Sequence, residues 1–268
     1  MNQSLHLPTE QLIQLLQLSP VQPTTFVGQS LPLFGRRVFG GQILAQAMMA
    51  AAKTCNRPVH SLHGYFIRPG DSNFPIEYQV ERLRDGQKFS LRQVQAYQHQ
   101  QLIFSAMISM SIEYADFDTQ HSAPAVQMQP TSCKSHSIPN FHLNIQLLES
   151  RDPEYQQEYA KTYSPLTGQY DLPIYHQAIA AYYSDYSLLN SALNRLGLAE
   201  HDPALMTASL DHSMYFHREF RVDEWMLYQL HCPTAQFGRG LNQAELWQNN
   251  RLVCSTMQES VIRFHPQA

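Results

Sequence analysis

The chain has 268 residues, 43% of them hydrophobic and 15% charged, with a formal net charge of −4. That content supports a sizeable core and excludes global disorder, and without a basic stripe a nucleic-acid partner is not expected. No apolar run approaches the roughly 20 residues needed to span a bilayer.

A short amphipathic helix is expected over 9–18, with Leu12, Ile13, Leu15, Leu16 and Leu18 on its apolar side and Pro20 just beyond it. A strand-like piece at 24–27 follows, then the pair Gly40-Gly41. The run 42–53 is so rich in Ala, Met, Ile and Leu that it reads as a helix buried on most sides. Four strands are expected at 60–67, 76–84, 90–97 and 102–112, with turn chemistry at 69–71 and at Asp85-Gly86. Residues 116–140 become rich in Ser, Pro and Gln and read as a surface linker, and parts of 141–163 read as helical. A second apolar helix at 172–196 precedes four more strands, at 205–216, 225–231, 238–247 and 252–264.

Helix followed by four antiparallel strands therefore occurs twice. A shift of 148 residues lays Ser61-Leu62 on Ser209-Leu210, Phe89 on Phe237 and Gln95-Ala96 on Gln243-Ala244. Two further residues bring Leu102, Ser105, Met107 and Ile112 onto Leu252, Ser255, Met257 and Ile262, and set Ile108 against Gln258. A repeat this long is a duplicated domain, not a solenoid unit. The expected architecture is α+β, each helix wrapped by a curled antiparallel sheet, with the two sheets joined so that edge strands are covered. The expected division is a first unit over 1–115, a linker with helical pieces over 116–160, and a second unit over 161–268.

Cys55, Cys133, Cys232 and Cys254 show no CxxC spacing, which points to reduced thiols and a cytoplasmic protein. Residues 1–9 lack a basic region followed by an apolar stretch, so no secretory signal is expected. Thirteen histidines are scattered along the chain, and no metal centre is expected from them.

Three polar residues stand out. Asp185 interrupts the second apolar helix between aromatic and aliphatic neighbours, where a charge is rarely buried without a partner; a solvated face or a cap beside Ser184 is the plainer alternative. Ser209 lies near the start of a core strand, where a hydroxyl usually satisfies a nearby carbonyl. Gln258 replaces the Ile of the first copy, which implies either a polar partner to orient or a surface face. Asp211 and His212 are adjacent on a strand and so point to opposite faces; both read as structural.

Val-Phe-Gly-Gly-Gln at 38–42, His-Ser-Leu-His-Gly-Tyr-Phe-Ile-Arg-Pro-Gly-Asp at 60–71, Leu-Asp-His-Ser-Met-Tyr-Phe-His-Arg at 210–218 and Ser-Thr-Met-Gln-Glu at 255–259 resemble acyl-CoA thioesterase II. The resemblance runs through almost the whole chain and implies a double hotdog fold. It also implies hydrolysis of acyl-CoA, with coenzyme A entering as part of the substrate and no separate cofactor. Its catalytic set falls on Asp185 as general base and on Ser209 and Gln258 as the groups that hold the water, and homo-oligomers are common in the family. One departure is expected: the strand that should precede the second helix reads as truncated or missing at 163–173. Two rival readings are a hotdog enoyl-CoA hydratase and a non-catalytic acyl-CoA-binding protein. The hydratase pattern needs a His five residues after the Asp, where this chain has Asn190.

Overall fold

The computed structural model describes residues 7–112, 117–126, 128–136, 138, 141–148, 154–199, 202 and 204–264. The first unit consists of α1 (Leu7–Leu16), β1 (Ser19–Gln22), β2 (Thr25–Gly28), α2 (Gly40–Ala52), β3 (Val59–Phe66), β4 (Ile76–Asp85), β5 (Phe89–Gln98) and β6 (Gln101–Ser111). The second consists of β7 (Lys134–His136), β8 (Leu143–Leu148), β9 (Tyr155–Thr162), α3 (Pro173–Arg195), β10 (Leu205–Ser209), β11 (Asp211–Phe216), β12 (Met226–Gln236), β13 (Arg239–Gln248) and β14 (Arg251–Phe264). Among the described residues no helix is long and apolar enough to cross a membrane.

All the strands belong to one 14-stranded sheet in the order β1-β2-β4-β5-β6-β3-β11-β14-β13-β12-β9-β8-β7, with β10 paired to β14. The units join where β3 and β11 pair antiparallel, Ser213 opposite His63. The sheet packs on α2 and α3, which also pack on each other and are apolar for that reason: Ile43 to Ala51 of α2 and Ala178 to Ser184 of α3 are buried without a break. The helices approach closely at Gly41. A Cβ there would lie 2.2 Å from the Tyr182 carbonyl oxygen, a backbone atom that cannot rotate away. Gly41→Ala is therefore expected to destabilise the protein by about 1–3 kcal/mol, the usual range for overpacking; an unchanged denaturation midpoint would show that the helices separate freely.

Strand pairing corrects the repeat register. Arg92 pairs with Ile108 and Asn242 with Gln258, and Val59 pairs with Met110 and Ser209 with Ser260, so every strand from β3 onward is shifted by 150 residues. The match of Ile108 to Gln258 holds. The earlier matches lie two residues out: Ser209 takes the place of Val59, not of Ser61. The shared Tyr-Phe at 65–66 and 215–216 carries the true register, and the Ser-Leu identity is coincidental.

Three further expectations are overturned. The helical pieces expected within 141–163 are the strands β8 and β9. The strand expected to be missing before the second helix is β9, which pairs with β12 along 155–160 and sits just upstream of the stretch in question. Its alternation is hard to see because its inward residues Glu158, Ala160 and Thr162 include two polar ones. Glu158 is buried there because Tyr183 of α3 donates a hydrogen bond to it. The expected strand at 205–216 is broken at Leu210, where its N–H bonds to the Glu259 carbonyl and its own carbonyl accepts from Phe66 N–H.

Candidate active site

Asp185 sits in the middle of α3, 6% exposed, with its carboxylate against the first turn of α2. Oδ2 accepts the Gly41 N–H at 2.8 Å. Oδ1 accepts the Ser209 hydroxyl at 2.8 Å and the Gln258 amide at 2.6 Å. Three side chains from α3, β10 and β14 thus meet at one carboxylate, although up to 73 residues separate them in sequence.

Each arrives there for a local reason. Gln258 lies on the inward face of β14 and is fully buried. Ser209 and His212 both face α3, yet residues three apart in an unbroken strand point to opposite faces; the break at Leu210 resets the alternation. Gly40 leaves room for the carboxylate, since a Cβ there would lie 2.6 Å from Asp185 Oδ2.

The electrostatics pull in two directions. Burial pushes the Asp185 carboxyl above its usual range, while the bonds from Ser209, Gln258 and Gly41 N–H pull it back in part. The net shift is upward, the direction that makes a carboxylate a better base. The α2 N-terminus adds positive potential beside the ionised form. A carboxylate only accepts, so the Gln258 amide nitrogen must face Asp185. That leaves Gln258 Oε1 buried without a hydrogen-bond partner.

The first unit shows how the second differs. Thr54 contacts Arg92 as Ser191 contacts Asn242, and Gln46 meets Tyr78 as Tyr183 meets Tyr228, so the helices correspond with a shift of 137 residues. Asp185, Ser209 and Gln258 therefore stand where the first unit has Met48, Val59 and Ile108, all buried. A carboxylate site occupies the second unit, and its counterpart in the first is packed with hydrocarbon.

Neighbouring polar residues were not legible in the sequence as part of this site. Gly41 was visible only within the motif at 38–42 and not as a partner of Asp185, which is 144 residues away. His212 is fully buried, as a structural residue would be, and burial holds its pKa down to about 3, so the ring is neutral. Asp211 turns the other way, accepting the Glu259 N–H at 2.7 Å. Among the described residues, no group of three His, Cys, Asp or Glu side chains is placed to hold a metal ion.

Two helix-in-sheet units sharing one sheet, with a buried carboxylate where the helices meet, define the double hotdog class. Residues 29–111 match the family described as acyl-CoA thioesterase N-terminal domain, and 146–261 that described as acyl-CoA thioesterase. The chain is 34% identical to acyl-coenzyme A thioesterase 8 of Homo sapiens, covering 94% of this chain and 89% of that protein. It is 33% identical to acyl-CoA thioesterase 2 of Haemophilus influenzae, over 94% and 97% of the two chains. The crystal structure of an acyl-CoA thioesterase II from Mycobacterium marinum superposes with a TM-score of 0.84 at 32% identity, covering 95% of this chain and 99% of that one. The chain belongs to the acyl-CoA thioesterase family and is a thioester hydrolase.

Proposed function

We propose that acyl-CoA is hydrolysed to free acid and coenzyme A by a single water activated by Asp185 and held by Ser209 and Gln258. The observation that carries this reading is the convergence of a hydroxyl and a carboxamide on one buried carboxylate; in this reading Gln258 Oε1 accepts from the water. Asp185 takes a proton as the water oxygen bonds to the thioester carbonyl carbon. When the tetrahedral intermediate collapses, the C–S bond breaks and the proton passes from Asp185 to the departing sulfur. General-base assistance of this kind contributes about 10²–10⁴-fold. The Gly41 N–H is committed to Asp185 Oδ2 and is not assigned to the oxyanion.

Ser209 is a water ligand in this reading, not a nucleophile. Its hydroxyl bonds to Asp185, whereas His212 bonds to Ser184 and Thr256. Ser209→Ala should then retain measurable turnover, about 10-fold or more below the parent, as expected when one orienting group of several is lost. Complete loss, or an acyl group trapped on Ser209 of the parent, would make it the nucleophile. A thiol-release assay over acyl-CoAs of increasing length tests the function itself: free thiol is expected, and with an enoyl-CoA as substrate, loss of enoyl absorbance without thiol would indicate a hydratase. A cytoplasmic location accords with four free cysteines, and association into homo-oligomers is part of the same proposal.

A further inference from the structure

Behind the site lies a second polar group that hydrolysis by Asp185, Ser209 and Gln258 does not use. His212 Nε2 lies 2.9 Å from Ser184 Oγ and 3.0 Å from Thr256 Oγ1. Ser184 Oγ also donates to the Ala181 carbonyl at 3.0 Å, and His212 Nδ1 is buried without a partner. A proton on Nε2 serves the hydroxyl oxygens and leaves only a bare nitrogen unpaired, whereas the other tautomer would bury an unpaired N–H; the ring is therefore assigned as the Nε2–H form. Ser184, His212 and Thr256 are each at most 4% exposed.

The first unit folds without these groups. At the corresponding positions it has Ala47, Leu62 and Ala106, all buried. Three positions that are apolar in the first unit are thus polar together, with an orphaned ring nitrogen, in the unit that carries the carboxylate. Their placement is specific: Ser184 directly precedes Asp185 on α3, and Thr256 lies two residues before Gln258 on the same inward face of β14.

We propose that His212 is a positioning residue: by holding Ser184 and Thr256 on one ring nitrogen, it ties α3 to β14 and fixes the Asp185–Gln258 spacing. This deepens, and rests on, the assignment of Asp185 as the base. The helix–strand contact sets whether Gln258 meets Asp185 at 2.6 Å, and misplacements of about 1 Å cost up to 10²-fold in rate.

The test replaces the trio with the first unit's residues, Ser184→Ala, His212→Leu and Thr256→Ala together. Neither hydroxyl of the trio is then left without its partner, and the first unit shows that such a layer packs. The parent, this triple variant and Asp185→Asn are compared by thiol release from one acyl-CoA, with kcat and KM resolved, and by thermal denaturation. The expected result is a triple variant at least as stable as the parent, with kcat down by about tenfold or more and KM within about twofold, the pattern of a lost transition-state arrangement. His212→Gln, which keeps a polar atom near the Nε2 position, should retain more kcat than His212→Leu. A triple variant with the parent's kcat, beside an inactive Asp185→Asn, overturns the positioning role and leaves the base assignment standing. Turnover by Asp185→Asn overturns both. Should the triple variant not fold, Thr256→Ala alone decides, because His212 keeps Ser184: a fall in kcat supports the role and an unchanged kcat overturns it.

Discussion

Asp185→Asn is expected to lower kcat by about 10²–10⁴-fold, the range for removing a general base, while the fold persists. The substitution is nearly isosteric. Its Oδ1 can accept the Gly41 N–H, and its amide can face the Ser209 oxygen and Gln258 Oε1 once the Gln258 amide turns over. Stability should respond oppositely to activity. The folded-state pKa of Asp185 is raised above its unfolded value, so the stabilisation from this group is full below the unfolded pKa and lost as pH rises through the folded one. The Asn variant has no such loss, so its denaturation midpoint relative to the parent should climb as pH rises toward neutrality. A variant that is both inactive and unfolded at every pH would assign Asp185 to structure instead.

Gln258→Ile, which installs the residue the first unit has in Ile108, should cost about 10²-fold or more in kcat, comparable to deleting a preorganised donor. It should also move the pH dependence. The Gln258 amide is one of the groups pulling the Asp185 pKa down against burial. Without it the carboxyl shifts further up, and because the base works only when ionised, the acid limb of kcat moves to higher pH. The same change removes a buried carbonyl oxygen without a partner but also the N–H that Asp185 accepts, so the stability lost on ionising Asp185 should grow and the denaturation midpoint should fall relative to the parent as pH rises. Lower activity with an unmoved acid limb would mean that Gln258 acts on the substrate alone.

Much of this was legible in the sequence, and what was not has physical causes. The two helices announced themselves because strands and a facing helix cover all their sides, which leaves almost no polar positions in α2. Strands β3 to β6 and β12 to β14 were readable from alternation and turns. Asp185 was conspicuous because a charge among Tyr and Leu is costly, and Gln258 because its repeat partner is Ile108. β9 was hidden because it turns Glu158 inward to meet Tyr183, so polarity no longer marked its outward face. The break at Leu210 was hidden because an interrupted strand and a continuous one have the same composition. Gly41 and the His212 trio were hidden because their meaning lies in contacts across 28 to 144 residues. The polar layer has no mark in composition, because only the sheet register sets which residue of one unit stands for which of the other.

The most direct measurement is a single turnover of acyl-CoA, with enzyme in excess, in water enriched in heavy oxygen. If Asp185 acts as a base on that water, the label appears in the released acid and the peptide containing Asp185 stays unlabelled. Heavy oxygen in the Asp185 carboxylate, with an unlabelled acid, would mean that the carboxylate itself attacked the thioester, and would contradict the account.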